Sequence, residues 1–196
     1  MRVRYVQSAT TKYGIITKVA INGGVTEITI YGGTDYTLSN AAISDPAYSF
    51  VKAPFGFPLN PAKWTVIATD TSGATQASPA QNTWYNVNGF SISIPIGLWD
   101  VDYQVGAGAL DASGSTWTVM VTLSTANNSE SNGQFSAYFD SASITRIFTT
   151  VIRRGIIELA AKTTHYLNMR TTVTNLDNLY LVTQITCVIR AVCAYL

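Results

Sequence analysis

Charge is scarce in this sequence. Asp, Glu, Lys and Arg together make up 12% of 196 residues, and only three glutamates occur, Glu27, Glu130 and Glu158; soluble domains usually carry about 25%. With 47% hydrophobic residues, a disordered chain or a coiled coil is excluded, because both need far more charge and less apolar content. The net charge is +1, so no broad field exists to gather nucleic acid, anionic lipid or acidic substrates. Histidine occurs once, at His165, which removes paired-histidine metal sites and any confident Ser/His/Asp set. No cofactor is expected. Cysteine occurs twice, and Cys187 and Cys193 lie six apart in one apolar stretch. In a strand that spacing separates their Cα atoms by roughly 20 Å, too far for a disulfide. Two buried free thiols suit synthesis in a reducing cytoplasm. Residues 1–5 lack the apolar segment of a secretory signal. The run 179–196 carries one charge, Arg190, but Thr183, Gln184 and Thr186 would be costly in a bilayer. It reads as a long buried strand, and no membrane insertion is expected.

What the chain has is hydroxyl and β-branched side chains: 26 Thr, 16 Ser and 14 Gly, with abundant Val, Ile and aromatics. These residues favour a pleated surface over helices, so the class is all-β. Prolines 54, 58 and 61 fall within 47–61, where they preclude helix and central strand. That stretch marks a linker between a small N-terminal β-module, residues 1–58, and a larger domain, residues 62–196. In the module, 3–7, 13–20 and 25–31 read as strands, with Asn22-Gly23-Gly24 as a hairpin turn. Ser39 would cap a helical turn over 40–42. So small a core is marginal alone, and the module is expected to pack on its neighbour, another copy or a larger assembly. The larger domain reads as strands at 64–69, 83–87, 90–94, 98–106, 117–125, 144–153, 155–159, 165–173 and 179–194, the set of a sandwich or jelly roll. Polar loops are expected at 70–82, 107–116 and 126–142, the stretches freest to read a ligand.

The last expected strand is apolar on both alternating sets, one holding Tyr180, Val182, Val188 and Val192 and the other Leu181, Ile185, Cys187, Ile189 and Cys193. A sandwich strand needs one apolar face, so the second is expected to be covered by another subunit. Tyr180, Val182, Val188, Ile189 and Val192 are the candidate interface residues. In the polar loops, Asn127, Asn128, Asn132, Gln134 and Tyr138 are the candidate receptor-facing residues. Trp84, Tyr85, Trp99, Trp117 and Tyr138 form a candidate stacking platform for sugars. Asp100 and Asp102, two apart on an alternating strand, stand roughly 7 Å apart, within the spacing of inverting glycosidases or of two ligands to Ca²⁺. The alternation alone accounts for them as solvent-side positions, and no catalytic or metal-ligating residue is assigned. Gly106-Ala107-Gly108 resembles a dinucleotide fingerprint without its third glycine and reads as loop.

Residues 12–17, 28–38 and 53–58, with the turn Gly32-Gly33-Thr34-Asp35-Tyr36 and the Gly56-Phe57-Pro58 linker, resemble a block of tailed-bacteriophage virion structural proteins. The remainder, through Lys63-Trp64, Leu98-Trp99-Asp100-Val101 and Ile189-Arg190-Ala191-Val192, resembles C1q/TNF-like jelly-roll domains. The resemblance implies a homotrimer assembled in the host cytoplasm and located in the virion. The N-terminal module would attach to other virion proteins and the outer loops would face a host-surface glycan. It implies no enzymatic activity. A collagen-like, coiled-coil or β-helical shaft is missing, so a short fibre or tail appendage fits better than a long one. A head decoration or head-fibre protein, a glycan-binding module and a glycoside hydrolase are the alternatives.

Overall fold

The computed structural model describes residues 1–32, 38–49, 65–114, 116–141, 145–182 and 184–194. Most of the expected linker, the 33–37 turn, and Lys63 and Trp64 lie outside the described residues. The regular structure of the described residues is almost all antiparallel strand, as the Thr, Val and Ile content requires.

The first sheet has the order β3-β2-β1-β4, from β1 (Arg2–Gln7), β2 (Thr10–Asn22), β3 (Val25–Tyr31) and β4 (Ile43–Ser49). Gly23 and Gly24, at φ 58° and 82°, form the two-residue turn of the β2–β3 hairpin, where both positions need left-handed backbone. The expected helical turn at 40–42 is a bend instead, and β4 takes up the start of the expected linker. Gln7 Nε2 donates to the carbonyls of Ser39 and Ala41 at 2.9 and 3.1 Å, holding that segment as a bend. Pro46 is tolerated because β4 is an edge strand, with a register shift opposite Tyr5.

The remaining strands are β5 (Thr65–Asp70), β6 (Ala74–Ala77), β7 (Ser91–Ile94), β8 (Gly97–Leu110), β9 (Trp117–Ser124), β10 (Ala137–Ser141), β11 (Arg146–Leu159), β12 (Thr163–Thr171), β13 (Asn178–Leu181) and β14 (Cys187–Cys193). Eight of them pair in nested fashion: β5 with β14, β7 with β12, β8 with β11 and β9 with β10. β8 also pairs β14, and β9 also pairs β12, which gives two sheets of jelly-roll winding. β6 and β13 extend the sheet that holds β8.

Alternation places Trp99, Val101, Tyr103, Val105, Ala107 and Ala109 of β8 inward against Trp117, Val119, Val121 and Leu123 of β9 and Leu167 and Met169 of β12. The Tyr103 hydroxyl donates to the Phe135 carbonyl at 2.8 Å, and burial holds it protonated far above the ordinary phenol range. Ile15 of β2 belongs to the same buried cluster, with Tyr13 packed against it. The first sheet therefore docks on the sandwich through one face.

Five expectations about the strands are corrected, the first being the strand at 83–87, where only Tyr85 forms a bridge, to Met169, and Val87 opens a 3-10 turn. Residues 107–110 continue β8, because small side chains are needed there: a Cβ at Gly106 would meet Val182 Cγ2 at 2.4 Å, and one at Gly108 would meet the Phe148 ring at 2.1 Å. Gly155 does not break β11, which runs unbroken along β8; it clears Gln134 and Phe135. The expected loops contain β6 and β10. The ribbon 179–194 is split into β13 and β14, whose pairing with β8 ends at Leu181 opposite Ala107 and resumes at Val188 opposite Gln104.

Candidate functional site

The register of the β5-β14-β8-β11 sheet sets out its outer face as rows. Thr65, Val192, Asp100 and Ile156 form one, Ile67, Arg190, Asp102 and Arg154 the next, and Thr69, Val188, Gln104 and Ile152 the third. Ile67, Ile152 and Ile156 are 56%, 61% and 59% exposed, and Val188 and Val192 are half-buried. The charges among them neutralise each other. Arg154 Nε donates to Asp100 Oδ1 at 2.8 Å, with a second N–H on Oδ2, and Arg190 Nε donates to Asp102 Oδ2 at 2.9 Å. The hydrogen bond from Arg154 holds the Asp100 carboxyl below the ordinary carboxylate range, against the opposing effect of desolvation. A glycosidase general acid needs a shift in the other direction. Among the described residues no cluster of three His, Cys, Asp or Glu side chains could hold a metal ion.

The candidate interface residues divide. Tyr180, Val188 and Val192 lie on the outer face, and Val182 folds over Gly106. Ile189 is 0% exposed in the single chain: its place in the alternation turns it into the sandwich core, so it is unavailable to another copy. Ile67, Ile152 and Ile156 were missed. The alternation of Ile152, Arg154 and Ile156 was the usable signal, hidden by reading Gly155 as a break.

The loop candidates also divide. Asn128 Oδ1 accepts from the Asn86 N–H at 2.6 Å and Asn132 Oδ1 from the Gln134 N–H at 2.9 Å. Asn168, fully buried, donates to the carbonyls of Ala126 and Ser129 at 3.0 and 2.7 Å. Asn128 and Asn132 thus hold the loop in shape. Asn127 and Gln134 are exposed, the latter with its amide against Gly155. Tyr138 is 70% exposed on β10. Of the stacking candidates, Trp99 and Trp117 are core residues, and Tyr85 is bonded at its hydroxyl by the Ala80 N–H at 2.9 Å. Trp84 lies at the surface under Arg170, whose Cζ is 4.9 Å from the ring centroid.

A second apolar surface lies on the first sheet, on the face opposite Ile15. Val19, Ile21, Ile28, Ile43 and Tyr48 are exposed there, Ile21 at 80%, and a groove between Val3, Ile16, Ile30 and Pro46 runs through it. Among the described residues no helix is long and apolar enough to cross a membrane. His165 and both cysteines are buried.

No protein-family model matches the chain, and no curated protein matches it. Among solved structures the chain is similar to the dimeric latent PorU of Porphyromonas gingivalis, at 10% identity and a TM-score of 0.37, over 96% of this chain and 21% of that one, so it spans about a fifth of that protein's length.

Proposed function

We propose that this chain is a structural component of a bacteriophage virion, a short tail fibre or tail appendage, in which three copies associate through the outer face of the β5-β14-β8-β11 sheet. The observation that carries the reading is the group of exposed isoleucines on that face, Ile67, Ile152 and Ile156, set around ion pairs that are already neutralised within the chain. Monomeric proteins seldom leave several large aliphatic side chains open together on one sheet face. Covering the exposed part of each would contribute about 1–2 kcal/mol. Paired charges are less costly to desolvate than lone ones, because each partner still satisfies the other.

The exposed apolar face of the first sheet serves attachment to other virion proteins in the same reading, and the sheet turned away from the association face points outward, toward a host-surface glycan. No chemical turnover is assigned. The test is the mass of the purified protein by light scattering or sedimentation. Three chains agree with the proposal, and a single-chain mass at micromolar concentration removes its central element.

A further inference from the structure

On the opposite side of the sandwich, four side chains form one row across three strands and an adjoining segment. Tyr138 of β10 stands opposite Met120 of β9, and Met120 stands opposite Arg170 of β12. Arg170 lies over the Trp84 ring. At about 4.8 Å between neighbouring strands, Tyr138 and Arg170 are separated by roughly 10 Å. The row is long enough for a short oligosaccharide.

Arg170 is the unusual member. Arg154 and Arg190 each have a carboxylate, whereas Arg170 directs Nε and Nη2 at the Met120 sulfur, at 3.3 and 3.0 Å. Among the described residues it has no carboxylate partner. A thioether is a weak acceptor, and a carboxylate accepting two guanidinium N–H groups binds far better. The side chain is half-buried and held by the indole face on one side and the sulfur on the other, so little mobility remains to be lost when an anion arrives. Tyr138 offers an open ring at the other end.

We propose that this row binds an acidic saccharide, with Arg170, seated on the Trp84 ring, pairing the ligand's carboxylate and the exposed Tyr138 carrying a sugar ring. Asp140 gives the site a direction. It shares the outer face with Tyr138, two residues along β10, and accepts from Thr118 Oγ1 at 2.6 Å. The acidic end of the ligand belongs at Arg170, and its hydroxyls belong near the Asp140–Thr118 pair. Nucleic acid is disfavoured by the net charge of +1. The site lies on the side turned away from the proposed association face, and so deepens the glycan-facing part of that reading.

The experiment is ligand-observed saturation-transfer NMR with tryptophan fluorescence on the full chain, using sialyllactose, a glucuronic-acid disaccharide and neutral lactose. At least one acidic probe is expected to bind, about tenfold more tightly than lactose, with affinity falling as salt rises. Arg170→Gln should abolish that preference, and Tyr138→Ala, a change at an exposed position, should weaken binding with an unchanged melting temperature. Failure of both acidic probes to bind the wild type, equal binding of lactose, or indifference to both substitutions overturns the proposal. Sedimentation of the same samples separates the two readings. A trimer that ignores acidic sugars removes the site alone, and a monomer that binds them removes the assembly alone.

Discussion

Asp100 and Arg154 meet diagonally across β8 and β11, because Arg154 stands opposite Asp102 in register yet bonds Asp100 with its Nε at 2.8 Å. Asp102 is left to Arg190 of β14, directly opposite. One carboxylate is thus drawn to each side of β8, and the two do not converge on a shared substrate position. Asp100→Asn is expected to lower the melting temperature slightly, with the loss disappearing at high salt, since a solvent-exposed guanidinium is well screened. A large effect that persists in salt would contradict this account. Any saccharide cleavage by the wild type that Asp100→Asn abolishes would restore the hydrolase alternative.

Ile152 and Ile189 separate association from folding. Ile189 is fully buried within the chain, so Ile189→Asp places an unpaired charge in the core and should cost more than about 4 kcal/mol. Ile152 is 61% exposed on the outer face, so Ile152→Asp should change the stability of the single chain by less than about 0.5 kcal/mol. It should nevertheless dissociate the assembly, because the charge would be desolvated only there. Denaturant unfolding and sedimentation, run on both variants, give the two readouts. Dissociation by neither Ile152→Asp nor Ile156→Asp would mean that this face is not the interface.

How legible these features were depended on whether alternation or punctuation dominated locally. Trp99 to Val105 alternates cleanly, and β8 appears there as expected. Hairpin glycines 23 and 24 likewise mark a real turn. Punctuation misled where tertiary contacts explain it. Gly155 is small because Gln134 and Phe135 press on it, Gly106 because Val182 and Ile185 do, and Pro46 sits on an edge where its missing N–H is harmless. The apolar outer set at Tyr180, Val188 and Val192 was readable, but which of the two sets faced outward was not. That choice depends on the register with β8, which no local pattern encodes. The row Trp84, Arg170, Met120 and Tyr138 joins segments far apart in sequence, and only Trp84 and Tyr138 stood out as aromatics.

Gly108 supports the ring of Phe148, where an added Cβ would come within 2.1 Å of Cδ1 and 2.8 Å of the Ile147 carbonyl. Gly108→Ala should therefore destabilise by about 2 kcal/mol through overpacking. Combining it with Phe148→Ala should recover part of the loss, and the backbone contact should keep the rest. A double-mutant cycle measures the coupling. Strict additivity would show that the ring does not bear on this strand.

His165 supplies the last expectation, a dependence of stability on pH. It is 4% exposed in β12, and burial lowers its pKa below the ordinary 6.5, with a backbone contact at Thr163 opposing in part. A depressed histidine pKa means that the unfolded chain takes up a proton first as pH falls, so stability is full above about 6.5 and declines below it. Asp100 acts in the same direction only in stronger acid, as pH falls past its ordinary 3.8 toward its lowered native value. The interval between about pH 6.5 and 5 therefore isolates the imidazole. Urea unfolding across that interval should show falling stability in the wild type, and His165→Gln should flatten the profile even if it lowers the curve as a whole. An unchanged slope in that variant would assign the dependence to other groups.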